Sequence, residues 1–249
     1  MPIKAVLFDL WETLIQDHPD RARPRRQWRI ESVQTVFVKY GFDIDHESVG
    51  TALDATNIAL TGMHDEGRDL DASGRETLLI DILEEQSGKR APSTVNGELL
   101  GVIASMPLDK APHLAPGALE TLTALREMGL PTALVSNAGM TTAPNLRLLL
   151  RHYEIEALFD SLVFSDELQV AKPDPRIFEL AASGLRVEAA DCAFVGDNPH
   201  NDIAGALAAG MYAVQVGNKV RDGITAVPHI RIDGLLELIP ALRAESKLA

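Results

Sequence analysis

The sequence predicts an α/β fold, a doubly wound parallel sheet with a helical insertion after its first strand. Short apolar segments bounded by turn residues alternate with amphipathic helical periods through the second half of the chain. Strands that alternate with helices pair in parallel through right-handed crossovers. A single strand-like run, IKAVLF at residues 3–8, stands alone at the N-terminus. Between it and the alternating half, residues from about 17 to 112 read as helices with no convincing strand.

Taken in order, RRQWRIESVQTVFVKYG places Trp28, Val33, Val36, Phe37 and Tyr40 near one helical face, and Gly41 supplies a stop. HESVGTALDATNIAL continues helical. Ser73 and Glu76 have the capping-box spacing ahead of Leu78, Leu79, Ile82 and Leu83, and Gly88 ends that helix. STVNGELLGVIASM is a fourth helical candidate. After Pro112 the character changes. GALETLTALREMG is amphipathic through Leu119, Leu122, Leu125 and Met128. PTALVSN reads as a strand with a helix near 142–152, SLVFS as a strand followed by the helix PRIFELAASG, and CAFVGD as a strand followed by the helix HNDIAGALAAG. YAVQV and HIRID are further strands. The expected division is a core built from 1–16 and 113–249, with 17–112 as a helical domain.

With 249 residues, 46% of them apolar, the chain can bury a sizeable core. A net charge of −13 argues against a general nucleic-acid binder, which carries a basic face. No apolar run reaches membrane-spanning length, so no membrane partner is expected. Lys4 is followed by a short run interrupted at Asp9, which is no signal peptide. The lone Cys192 lies in a strand pattern and reads as a small core residue. These features lead us to expect a cytoplasmic protein. Arg21, Arg23, Arg25, Arg26 and Arg29 cluster where the helical stretch begins; a solvated hinge or helix face is the preferred reading, attraction of an anionic substrate the sharper one.

Ligands of open α/β sheets bind beyond the carboxyl ends of the strands. Here those ends carry Asp9, then Ser136 and Asn137, then Lys172 before Pro173, then Gly196-Asp197 with Asp202 five residues later. Asp9, Asp197 and Asp202 crowded together would repel, and a divalent cation resolves that. All-oxygen ligation favours Mg²⁺. Ser136 and nearby backbone N–H groups can hold a phosphate oxygen, Lys172 can neutralise Asp9 and the transferring group, and a carboxylate beside Mg²⁺ can attack phosphorus.

FDLWETL, VSNAG, AKPDPRIF and VGDNPHNDIAGALAAG, in this order, closely resemble the motifs of the haloacid dehalogenase superfamily of hydrolases. The resemblance implies a Rossmann-like core with an all-helical cap at 17–112. It implies Asp9 as nucleophile and metal ligand, the Trp11 carbonyl and Asp197 as metal ligands, and Asp202 as ligand or support. It further implies Ser136, with Asn137, at the phosphate and Lys172 as the charge-neutralising lysine, with Thr13 in the turn. The function implied is Mg²⁺-dependent hydrolysis of a small phosphorylated molecule. Substrate and oligomeric state are not set by the motifs.

The phosphatases of that superfamily carry a second Asp two residues after the nucleophile, where this chain has Trp11. The indole has no proton to exchange near neutral pH, and loss of a general acid/base costs about 10²–10⁴ in rate. Glu12 in that role is less expected than Glu12 facing solvent or capping the turn. The superfamily's dehalogenases carry an aromatic residue here, yet the intact GDNPHND favours metal and phosphate. A phosphonate hydrolase would need a cap lysine, Lys39 or Lys89. A phosphate-ligand binding or regulatory protein is the remaining alternative. His200 reads as loop filling, and the other histidines show no metal-like spacing.

Overall fold

The computed structural model describes residues 2–95 and 97–248. Met1 and Ala249, at the ends of the expected core, and Asn96, inside the fourth helical candidate, lie outside the described residues. Strand β1 (Ala5–Phe8) is followed by the short β2 (Ile15–Gln16). Helices α1 (Pro19–Lys39), α2 (His46–Asp65), α3 (Ala72–Ser87) and α4 (Glu98–Ile103) come next, and β3 (His113–Leu114) closes the insertion by pairing antiparallel with β2. The alternating half runs α5 (Ala118–Glu127), β4 (Thr132–Ser136), α6 (Ala143–His152), β5 (Ser161–Phe164), α7 (Ser165–Leu168), α8 (Pro175–Gly184) and β6 (Cys192–Gly196). A π-helical turn at Pro199–Ala204 then leads into α9 (Gly205–Ala208), β7 (Tyr212–Val216), β8 (Ile230–Ile232) and α10 (Leu238–Ala244).

The sheet order is β5-β4-β1-β6-β7-β8, every pair parallel. β1 is buried on both faces, as a central parallel strand must be. Val6 and Phe8 join one core cluster with Leu122, Leu146 and Leu238, while Ala5 and Leu7 join the other with Phe178 and Phe194. From β1 the sheet grows first to one side through β4 and β5 and then to the other through β6, β7 and β8, so the carboxyl end of β1 lies at the switch point at which ligands bind.

The insertion has its own apolar centre, from Val33, Phe37, Val49, Leu53, Leu79, Leu83 and Leu99. Tyr40 packs at its edge, but Trp28 is half-buried and lies outside it. Asp45 accepts from Ser48 N to start α2. At α3 the expected capping box is replaced: Asp71 accepts from Gly74 N, Ser73 Oγ bonds Asp71, and Glu76 instead accepts from Gly97 N and Leu100 N at the start of α4. Gly88 ends α3 at φ 66, the left-handed conformation glycine adopts freely. The fourth candidate shrinks to α4, preceded by a single turn at Ser93–Val95. In α5, Leu122 and Leu125 are buried, but Leu119 and Met128 are exposed, because the buried face is phased on Ala118, Thr121, Leu122 and Leu125. The last predicted helix opens as the π turn, which carries Asp202.

Insertion and sheet are tied together by buried polar bonds. Arg75, fully buried, reaches both Asp69 carboxylate oxygens at 2.8 Å and donates to the carbonyls of Ala138 and Gly139, each at 2.8 Å, in the loop after β4. Ser165 Oγ donates to Asp69 at 2.5 Å and accepts from Ala138 N at 2.8 Å. Met140, from the same loop, joins the insertion's apolar cluster.

Candidate active site

Asp9 leaves β1 with its N–H still donating to Val195 O at 2.9 Å, one step beyond the strand, and the residue is 5% exposed. The turn that follows places Glu12 at φ 59, and Glu12 Oε1 accepts from Asp17 N at 3.0 Å, so this carboxylate caps the turn. β6 ends on Gly196, and Asp197 follows. Asn198 then accepts from His200 N and Asn201 N, which caps the π turn and swings Asp202 back so that Asn198 N meets its Oδ2 at 2.9 Å. A Cβ on Gly196 would stand 2.5 Å from Asp202 Cγ. Gly196→Ala should therefore displace Asp202 and lower unfolding free energy by about 1–3 kcal/mol, read from a urea titration.

Lys172 is positioned by Asn137. Asn137 Nδ2 donates to Lys172 O at 2.9 Å, and Lys172 N donates back to Oδ1 at 2.8 Å. The ammonium then lies 2.5 Å from Asp9 Oδ1 and 2.8 Å from Asp202 Oδ1. Lys219, from the loop after β7, lies 2.8 Å from Asp197 Oδ2. Oxygen atoms of Asp9, Asp197 and Asp202 all fall within 4.8 Å of one another, a group that could hold a metal ion. Together with Trp11, Glu12, Asn137, Lys172 and Lys219 they line a cleft of about 150 Å³.

Two ammonium groups do not fully balance the three carboxylates. Burial, then Asp202, push the Asp9 carboxyl up to about 7, against the pull of Lys172. Burial and Asp202 likewise raise Asp197, opposed by Lys219. Burial works against the Lys172 ammonium, but Asp202 and Asp9 outweigh it and its pKa rises. Asp9 in the folded protein thus binds its proton more tightly than in the unfolded chain, so its contribution to stability falls as pH rises from about 4 through about 7. In EDTA, Asp9→Asn should melt above the parent at pH 8, with the gap closing by pH 5, read from parallel thermal scans.

Of the sequence-predicted residues, Asp9, Trp11, Asn137, Lys172, Asp197 and Asp202 meet at this cleft. Ser136 ends β4 fully buried and does not line it; its hydroxyl makes one long contact, 3.4 Å to Asn137 O. Lys39 is exposed and pairs with Glu98 at 2.6 Å, and Lys89 is exposed and reaches Asp43 O at 3.5 Å, so neither lysine serves the cleft. Cys192 is fully buried, its thiol pushed up to about 12 by burial, as a core residue should be. His200 Nε2 meets Asp65 O of the insertion at 3.1 Å and so does more than fill a loop. The arginine cluster divides. Arg26 is exposed and pairs with Asp54, while Arg25 is buried between Asp17 and Lys110 O, and Arg29 donates to Ser105 O and Thr141 Oγ1. Lys219 escaped the sequence reading because only the β7 ladder brings its loop to Asp197.

A family model described as haloacid dehalogenase-like hydrolase matches residues 3–210. Phosphoserine phosphatase of Thermus thermophilus is 35% identical over 132 residues, 51% of each chain, so the chain spans about half the length of that curated relative. Human N-acylneuraminate-9-phosphatase is 30% identical over 96% of this chain and 93% of its own. A 2-haloacid dehalogenase from Pseudomonas syringae shares the fold at a TM-score of 0.70 and 21% identity, covering 98% of this chain and 99% of that one.

Proposed function

The chain belongs to the haloacid dehalogenase-like hydrolase family, and from that premise we propose that it is a Mg²⁺-dependent phosphatase acting on a small phosphorylated molecule through an aspartyl-phosphate on Asp9. The observation that carries this reading is the convergence of Asp9, Asp197 and Asp202 within 4.8 Å beside Lys172. Hard, all-oxygen donors and excess negative charge fit Mg²⁺, held by these carboxylates and the Trp11 carbonyl. When bound, Mg²⁺ offsets charge on the phosphoryl oxygens.

Asp9 supplies the attacking oxygen. Lys172 fixes that carboxylate against Asp202 and spreads its positive charge toward the incoming group. Ser136 lies buried outside the cleft lining, so its role at a phosphate oxygen requires its hydroxyl to turn from the long contact to Asn137 O. Asn137 holds the Lys172 backbone in place. Residues 17–112 act as a cap domain over a core of 1–16 and 113–249. The activities named for the Thermus thermophilus and human relatives support a small phosphorylated substrate. Among the described residues no helix is long and apolar enough to cross a membrane.

The test is rapid mixing with p-nitrophenyl phosphate, with and without Mg²⁺, reading the first turnover apart from the steady rate. A Mg²⁺-dependent burst that Asp9→Asn abolishes is expected. Absence of release from folded, Mg²⁺-loaded protein overturns the reading. The indole at Trp11 favours a second reading, carbon-directed dehalogenation through Asp9; chloride release from a 2-haloacid in EDTA would select it. A burst-free protein that still binds inorganic phosphate would be a binding module.

A further inference from the structure

The phosphatase reading leaves proton transfer without a residue, because Trp11 stands where an exchangeable carboxylate is needed. We propose that His64 of the insertion makes that transfer, protonating the leaving oxygen and then deprotonating the attacking water; the proposal rests on the phosphatase reading above. The C-terminal end of α2 is docked onto the loops beside the cleft. Asp65 O accepts from His200 Nε2 at 3.1 Å, and the Asp65 carboxylate pairs with Arg221 at 2.9 and 2.6 Å. One residue earlier, His64 lines a cavity of about 190 Å³ with Trp11, Asn137 and Gly139. Trp11 and Asn137 also line the carboxylate cleft, so the two spaces share these two walls.

The ring is oriented from behind. Nε2 is buried and faces Asp69 Oδ2 at 3.1 Å, short of full hydrogen-bond alignment. Asp69 is itself fixed by Arg75 and Ser165. Among the described residues Nδ1 has no protein partner and is not sealed from solvent, on a residue that lines the cavity. A carboxylate behind an imidazole holds the ring in place, while the other nitrogen exchanges the proton.

The balance is as follows. Asp9 forms an O–P bond as the ester P–O bond breaks, and the departing oxygen keeps the electron pair and takes the proton from His64. Having given up that proton, His64 then accepts one from water as its oxygen bonds phosphorus, and the Asp9–P bond breaks to give carboxylate and phosphate. The proton taken from water replaces the one given to the leaving oxygen, so His64 returns to its starting form.

The test compares His64→Gln with the parent on p-nitrophenyl phosphate, whose leaving group needs little protonation, and on glycerol 2-phosphate, whose leaving group needs much. The variant should keep its p-nitrophenol burst within about tenfold and lose about 10²–10⁴ in steady turnover of the alkyl phosphate, with added imidazole restoring part of the loss. His64→Asn should show the same split, with both variants melting cooperatively. Equal losses on both substrates and in the burst, or no loss at all, overturn the assignment. If the parent gives no Asp9-dependent burst, the phosphatase reading fails and this assignment with it.

Discussion

Asp9→Asn is expected to reduce steady turnover of p-nitrophenyl phosphate by at least about 10⁴-fold, the scale on which removing a catalytic nucleophile acts. An amide cannot form the phosphoryl bond, and this position cannot be rescued from nearby: Asp197 is held by Lys219 and Asp202 by Lys172 and Asn198 N. The same variant should be the more heat-stable protein in EDTA above neutral pH, because it removes a buried carboxyl pushed up to about 7. Lost activity with gained stability separates a nucleophile from a structural residue. A variant that loses both would point to a carboxylate that holds the fold.

Lys172→Met should act in the opposite sense. The ammonium lies between Asp9 and Asp202 and is 2% exposed, so its removal leaves those carboxylates facing each other out of water. Breaking such a buried pair costs about 3–5 kcal/mol. For a chain of this size that is a fall of about 6–20 °C in melting temperature. Turnover should fall with it, since the phosphoryl group would meet an uncompensated carboxylate. The loss of stability should shrink at pH 5, where Asp9 takes up a proton; thermal scans at pH 8 and pH 5 in EDTA read the difference. A melting temperature unchanged at pH 8 would mean that the acidic cluster is balanced without this lysine.

Asp9, Lys172, Asp197 and Asp202 were legible because each follows a strand-like run, and a parallel sheet must bring such ends to one edge. The sheet itself was legible for a related reason: AVLF, TALVS, CAFVG and YAVQV are short and apolar, and helices separate them. What stayed hidden depends on contacts between segments far apart in sequence. Lys219 and His64 sit in stretches with no chemical pattern and gain meaning from neighbours contributed by other segments. Asn137 was read as a phosphate contact; that its side chain also holds the backbone of Lys172, 35 residues on, could not be read from the sequence. The helix start at 71–76 was misread because Asp71 and Ser73 both suit a cap, and the carboxylate took the N–H of Gly74. Leu119 and Met128 fit a helical stripe whose true phase only the packing of α5 reveals.

Arg75 makes the helical insertion a poor candidate for modular exchange. Its guanidinium donates to Ala138 O and Gly139 O, and its partner Asp69 accepts from Ser165 Oγ. A chimera that imported residues 17–112 from a relative without this Arg–Asp pair would strip buried carbonyls and a hydroxyl of their partners, each at a cost of about 1–3 kcal/mol. The damage would fall on the loop that carries Asn137, and so on Lys172. Recombination at the short β2–β3 ladder would look clean in an alignment and still disable the recipient, unless Asp69 and Arg75 travelled with the sheet that depends on them.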